Sequence, residues 1–221
     1  IAPLVKAIEI AALETKVFPT GFEAFDQASS LKFETWFLRE LGDELAGMPA
    51  LKLLSFQSRY DFVIKPEFVN CKNIESLHLK SYKSVELPNN LPEMEQLREL
   101  SLFLGSRVSD IVWECQQLTH LTLSDVNYDR EGTQSHQFWK NAVQLKNLEE
   151  LTFLHPYSYS TQEIVLPAFI YDIKQLKRLK FFSYSNVHCK FTKQILEMEN
   201  LEELTLTSID VEELKILSEH P

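Results

Sequence analysis

The chain has 221 residues, 44% of them hydrophobic, which suits a folded unit and excludes a disordered chain. Its net charge of −10 has the wrong sign for neutralising phosphates, so no nucleic-acid partner is expected. No apolar run approaches the ~18 residues that span a bilayer, so no membrane insertion is expected, and three cysteines are too few and odd in number for a disulfide framework.

Read in chain order, the sequence repeats one pattern, L-x-x-L-x-L. It is seen as Val5/Ile8/Ile10, Ala28/Leu31/Phe33, Leu51/Leu54/Phe56, Ile74/Leu77/Leu79 and Leu97/Leu100/Leu102. It continues as Leu118/Leu121/Leu123, Leu148/Leu151/Phe153, Leu176/Leu179/Phe181 and Leu201/Leu204/Leu206. The first five starts are 23 residues apart; later steps vary from 21 to 30. Alternation at L-x-L makes a short strand with one face inward. Nine strands are predicted, near residues 7–11, 30–34, 53–57, 76–80, 99–103, 120–124, 150–154, 178–182 and 203–207.

Positions three, six and ten residues before each start test this register independently. They include Met48, Cys71 and Met94, then Phe22, Leu45 and Phe68, then Phe18, Leu41 and Ile64. All 25 such positions are apolar, where a random draw at this composition gives about 11. Their near-helical spacing predicts a helical or 3-10 turn, with Pro19, Pro88 and Pro167 at its start. One such unit cannot bury its own apolar edge, so neighbours must stack and share a core.

These motifs resemble the leucine-rich-repeat family over essentially the whole chain. The expected fold is α/β: a solenoid with a curved parallel β-sheet on the concave side and short helices or 3-10 turns on the convex side. Residues 1–221 form a single array of about nine repeats. Ala2 already occupies an inward position and Leu214 and Leu217 have the spacing of a tenth outer turn, so a fragment of a longer array is expected, with uncapped ends open to end-to-end self-association. One departure stands out. The family's ninth position is usually Asn or Cys; here it reads Leu13, Trp36, Arg59, Tyr82, Gly105, Val126, Pro156, Tyr184 and Ile209, so no Asn ladder is expected.

Signals of chemistry are weak. Cys71 and Cys115 share an inward column and read as small buried hydrophobes, not a redox or metal pair. Asp125–Gly132 begins like a calcium loop, but Arg130 and His136 stand where that loop needs Gly and Glu. Adjacent acids such as Glu149-Glu150 point to opposite strand faces and cannot bracket a substrate. No catalytic residue, metal or cofactor is assigned, and the chain is not read as an enzyme. With neither a basic and apolar leader nor an Asn-x-Ser/Thr acceptor, the expected location is intracellular and cytoplasmic.

What remains is a surface. The fifth, seventh and eighth positions of each repeat are expected to face the concave side, with Ser101 exposed to solvent. Most are polar, but the seventh and eighth become apolar or aromatic at Phe103, Leu104, Leu154, His155 and Phe182, with Tyr184 two residues beyond. These six residues are the candidate partner-binding site, unless the long loops at 126–137 and 156–165 fold back and bury it. The expected function is protein–protein interaction through the concave face. The alternative is a substrate- or ligand-recognition domain of a larger multidomain enzyme or nucleotide-switch receptor.

Overall fold

The computed structural model describes residues 5–104, 109–124, 141–155, 164–166, 168–183, 189–207 and 215. Its strands, in chain order, are β1 (Ala7–Leu13), β2 (Ser30–Thr35), β3 (Glu40–Leu41), β4 (Leu53–Ser58), β5 (Phe62–Ile64), β6 (Ser76–Ser81) and β7 (Val85–Glu86). They continue as β8 (Glu99–Leu104), β9 (His120–Ser124), β10 (Glu150–His155), β11 (Ile164–Val165), β12 (Arg178–Ser183), β13 (Cys189–Lys190) and β14 (Glu203–Leu206).

Nine of these form one sheet in the order β1-β2-β4-β6-β8-β9-β10-β12-β14. Each neighbouring pair is parallel. The register aligns equivalent repeat positions, so Leu31, Leu54, Leu77, Leu100, Leu121, Leu151, Leu179 and Leu204 form one row across the sheet. All but the terminal Leu204 are fully buried. All nine predicted strands are present, each starting at the expected residue.

Behind the sheet run 3-10 turns at Phe22–Phe25, Pro66–Asn70, Leu91–Glu93, Asp110–Glu114, Asn141–Gln144, Ala168–Asp172 and Lys193–Glu197. Their apolar residues meet the inward strand residues in one core. These seven turns are 3-10 and not α, because inward positions spaced by three suit three residues per turn. Pro88 does not open a turn as expected: it lies ahead of Leu91–Glu93, and its carbonyl accepts from the Leu91 N–H at 3.0 Å. Pro66 does occupy a first position. Between sheet and turns lie short parallel ladders, β3-β5-β7 and β11-β13, which the apolar columns alone did not distinguish from loop.

Among the described residues the inward columns are buried except at the ends of the array, where Met198 is half-buried and Phe25 is exposed. Phe25 is 40% exposed, because a turn needs neighbours on both sides to be covered and Phe25 sits in the first described turn. Ile8, Ile10, Leu204 and Leu206 are half-buried at the two edge strands for the same reason.

Repeats are also tied through polar groups. Carbonyls at the second repeat position accept from the next repeat, as in Lys52 N–H to Ser29 at 2.9 Å and Glu75 N–H to Lys52 at 2.7 Å. An amide ladder does exist, but in the column directly before the first leucine. Asn73 donates to the Pro49 carbonyl, Gln117 to Met94, Asn147 to Gln116, Gln175 to Leu145 and Asn200 to Lys174, at 2.6–3.0 Å. At the opposite corner hydroxyls do this work. The Leu38 N–H donates to Thr35 Oγ1, the Tyr60 N–H to Ser58 Oγ and the Lys83 N–H to Ser81 Oγ, at 3.0–3.2 Å. The empty ninth column therefore leaves no gap in these repeats: the side chain one residue earlier reaches the turn.

Candidate functional site: the concave sheet face

Strand alternation assigns the faces. The fourth, sixth and eighth repeat positions point into the core and the third, fifth and seventh point out of the sheet. In β2, β4 and β6 the eighth residues Thr35, Ser58 and Ser81 are buried. This corrects the expectation that the eighth column faces the concave side. Leu104 pairs in register with Ser81, and His155 with Ser183, so both occupy that column. The side chains of Leu104 and His155, and all of Tyr184, lie outside the described residues.

The seventh column supplies the apolar row. Lys80 pairs with Phe103, Phe103 with Ser124, Ser124 with Leu154 and Leu154 with Phe182, across five adjacent strands. Phe103, Leu154 and Phe182 are each half-buried. Strands ~4.8 Å apart put about 15 Å between Phe103 and Phe182.

Beside the row the fifth column was expected to meet solvent. It does so at Lys32, but Ser101 is only 3% exposed and Thr152 is also buried. Short side chains flanked by longer ones on an inward-curving surface are shielded. Ser101 lies between Glu99 and Phe103 along β8 and opposite His78 and Thr122 across it.

The third and fifth columns also carry a charge network. Arg178 Nε donates to Glu150 at 2.6 Å, and Lys180 lies 3.2 Å from Glu150 and 3.6 Å from Glu203. Burial alone would raise the Glu150 carboxyl, but hydrogen bonds from Arg178 and Lys180, with their charges, hold it below its usual range. An Arg178 terminal nitrogen lies 2.9 Å from His120 Nε2, and His120 Nδ1 lies 2.8 Å from Thr119 Oγ1. Arginine can only donate, so His120 Nε2 accepts and Nδ1 carries the proton. At the other end Gln57 donates to Glu34 at 3.1 Å. These groups are matched to each other, which leaves the apolar row as the part of the face with contact area to offer.

Cys71 and Cys115 are buried free thiols, each pushed up to about 12 by burial, which suits packing and not nucleophilic chemistry. Among the described residues no group of three or more His, Cys, Asp or Glu is placed to hold a metal ion, and no helix is long and apolar enough to cross a membrane. The loop at Asp125–Gly132 lies outside the described residues.

No protein-family model matches the sequence, and no curated protein matches it significantly. Solved structures do. A leucine-rich-repeat protein of Leptospira interrogans superposes with a TM-score of 0.57 at 20% identity, covering 89% of this chain and 47% of that one. The fold is the leucine-rich-repeat solenoid. An internalin from Listeria monocytogenes is also similar, with a TM-score of 0.50 at 12% identity over 97% of this chain and 71% of the other. The solenoid thus spans about half the length of the Leptospira protein. Identities this low, over strands whose register agrees with the sequence period, mean that the shared feature is the repeat geometry.

The ridge of rings and cations beyond the strand ends escaped the sequence reading. Trp36, Arg59 and Tyr82 were noted there only as substitutes for Asn. Their recurrence in one column, beside Phe37, Tyr60 and Lys83 in the next, was the available signal.

Proposed function

We propose that this solenoid is a protein-interaction module that engages a protein partner through its concave face. The observation that carries this reading is the in-register row of Phe103, Leu154 and Phe182, half-buried beside a self-paired polar network. Large side chains centred in a polar surround are the usual anchors of a protein interface. Tyr184, two residues beyond Phe182, belongs to the same proposal, whereas Leu104 and His155 share the inward eighth column and do not. A charge of −10 favours a protein over a nucleic acid as partner.

Many of the described concave ionisable groups, such as Glu150 with Arg178 and Lys180, are engaged with one another, which supports a binding role over catalysis in this segment. If the array serves as the recognition domain of a larger enzyme or switch, the activity lies in a neighbouring domain and the concave row selects its target. The experiment is affinity capture with the protein as bait, run beside the double variant F103A and F182A, with mass spectrometry of what is retained. The reading expects proteins held by the wild type and lost by the variant. Identical retained sets from both baits would contradict it.

A further inference from the structure

The loops leaving β2, β4 and β6 place aromatic rings and cations in alternation along one rim. Arg59 lies over the Trp36 ring at 4.3 Å from its centroid. Tyr60 has Arg39 of the preceding repeat at 4.4 Å and Lys83 of its own following repeat at 6.0 Å. Lys80 lies 5.6 Å from the centre of Tyr82. The rim is open to solvent: Tyr82 is 61% exposed, and Phe37 and Tyr60 are also exposed.

Acids outnumber bases by 32 to 22, and six of the described cations are held by glutamates, as Lys32 is by Glu9 and Arg178 by Glu150. Yet among the described residues Arg39, Arg59, Lys80 and Lys83 have no carboxylate within ion-pair distance. Asp61 is the nearby acid. Its carboxyl accepts from Ser84 Oγ at 2.6 Å, and it sits within the fields of Lys83 and Arg39. A cation stacked on a ring uses its face and keeps its N–H edge, and a guanidinium edge fits a carboxylate with two parallel hydrogen bonds.

We propose that this rim is a second docking surface, adjoining the concave row at Lys80, that takes an acidic polypeptide segment of a partner. Carboxylates meet the cation edges, and apolar side chains between them lie on Tyr82, Phe37 and Tyr60. A peptide fits better than a nucleic acid. Four cations neutralise few phosphates within an overall field of −10, and ring faces at Trp36 and Tyr60 are already occupied by cations, which leaves less room for bases to stack.

The test uses the full chain and a fluorescein-labelled peptide alternating glutamate and leucine, about eight residues long, enough to cross three loops ~4.8 Å apart. Fluorescence anisotropy is read for this peptide, for its glutamine counterpart and for a single-stranded oligonucleotide of equal charge. The proposal expects saturable binding of the acidic peptide and weak binding of the other two. The double variant R59Q and K83Q, with melts showing it folded, loses about tenfold or more in affinity. If it melts early, R59Q and K83Q are read singly, each with a smaller loss. The variant F103A and F182A binds as the wild type does, which separates this surface from the concave one. No saturable binding by the wild type, or a rim variant that binds undiminished, overturns the proposal. So does an oligonucleotide that outcompetes the peptide, or loss of binding confined to the concave variant.

Discussion

Leu100 has register partners on both sides, Leu77 and Leu121, and no exposed surface. Truncating it leaves a cavity that neither neighbour can fill without breaking its own row. Leu100→Ala should therefore destabilise by about 2–5 kcal/mol in denaturant or thermal melts. Ser101, one residue on, is buried too, but it lies on the opposite face and its truncation removes a single hydroxyl. Ser101→Ala should stay within about 0.5 kcal/mol of wild type, and equal losses for the pair would place the wrong face inward. The thiols give a second test at this scale. With Cys71 and Cys115 pushed up to about 12, neither has appreciable thiolate near neutral pH. Iodoacetamide with mass-spectrometric mapping should modify them only at denaturant concentrations that unfold the array; rapid labelling of either in the native state would contradict their placement. Both cysteines were legible as core from the column they share with Met48 and Met94. The burial of Ser101 was not, because polarity and strand parity say which way a side chain points and not what its neighbours shade.

At the scale of elements, strand register was readable because the spacing of leucines is the register: a 23-residue step along the chain is one strand across the sheet. The corners were less readable. A search for Asn in the ninth column finds none, while the amides of Asn73, Gln117, Asn147, Gln175 and Asn200 sit one residue before each motif and reach back to a carbonyl. Which corner carries the ladder depends on how the chain turns there, and an apolar period holds no information about that. The charge network between β9, β10, β12 and β14 was likewise invisible as a network, though its members were plain in sequence. It carries a pH dependence. Glu150 in the folded protein ionises below its ordinary value of 4.5, so its contribution is complete above that pH and is lost as pH falls through the lower folded value. The stability advantage of wild type over Glu150→Gln should shrink as melts are taken from pH 6 down to about 3. An advantage that stays constant over that range would show that the pairs with Arg178 and Lys180 do not stabilise the fold.

The whole molecule is a sheet with two kinds of outward surface. Most of the concave face is occupied by its own polar network, and along it runs one row of large apolar side chains. The sequence located Phe103, Leu154 and Phe182 correctly in one column, because the seventh position is an odd step from the buried fourth and sixth. It misassigned the eighth column, where alternation turns side chains back toward the core. We propose this row as the partner-binding surface. Its most direct test is the affinity of the captured partner for wild type and for the double variant F103A and F182A, measured beside thermal melts of both. If the row binds, the double variant loses more than about 2 kcal/mol in binding, roughly thirtyfold or more in Kd, with the melting temperature within a few degrees of wild type. An unchanged affinity in the folded double variant, or a collapse of stability with the affinity of the folded fraction intact, would contradict it.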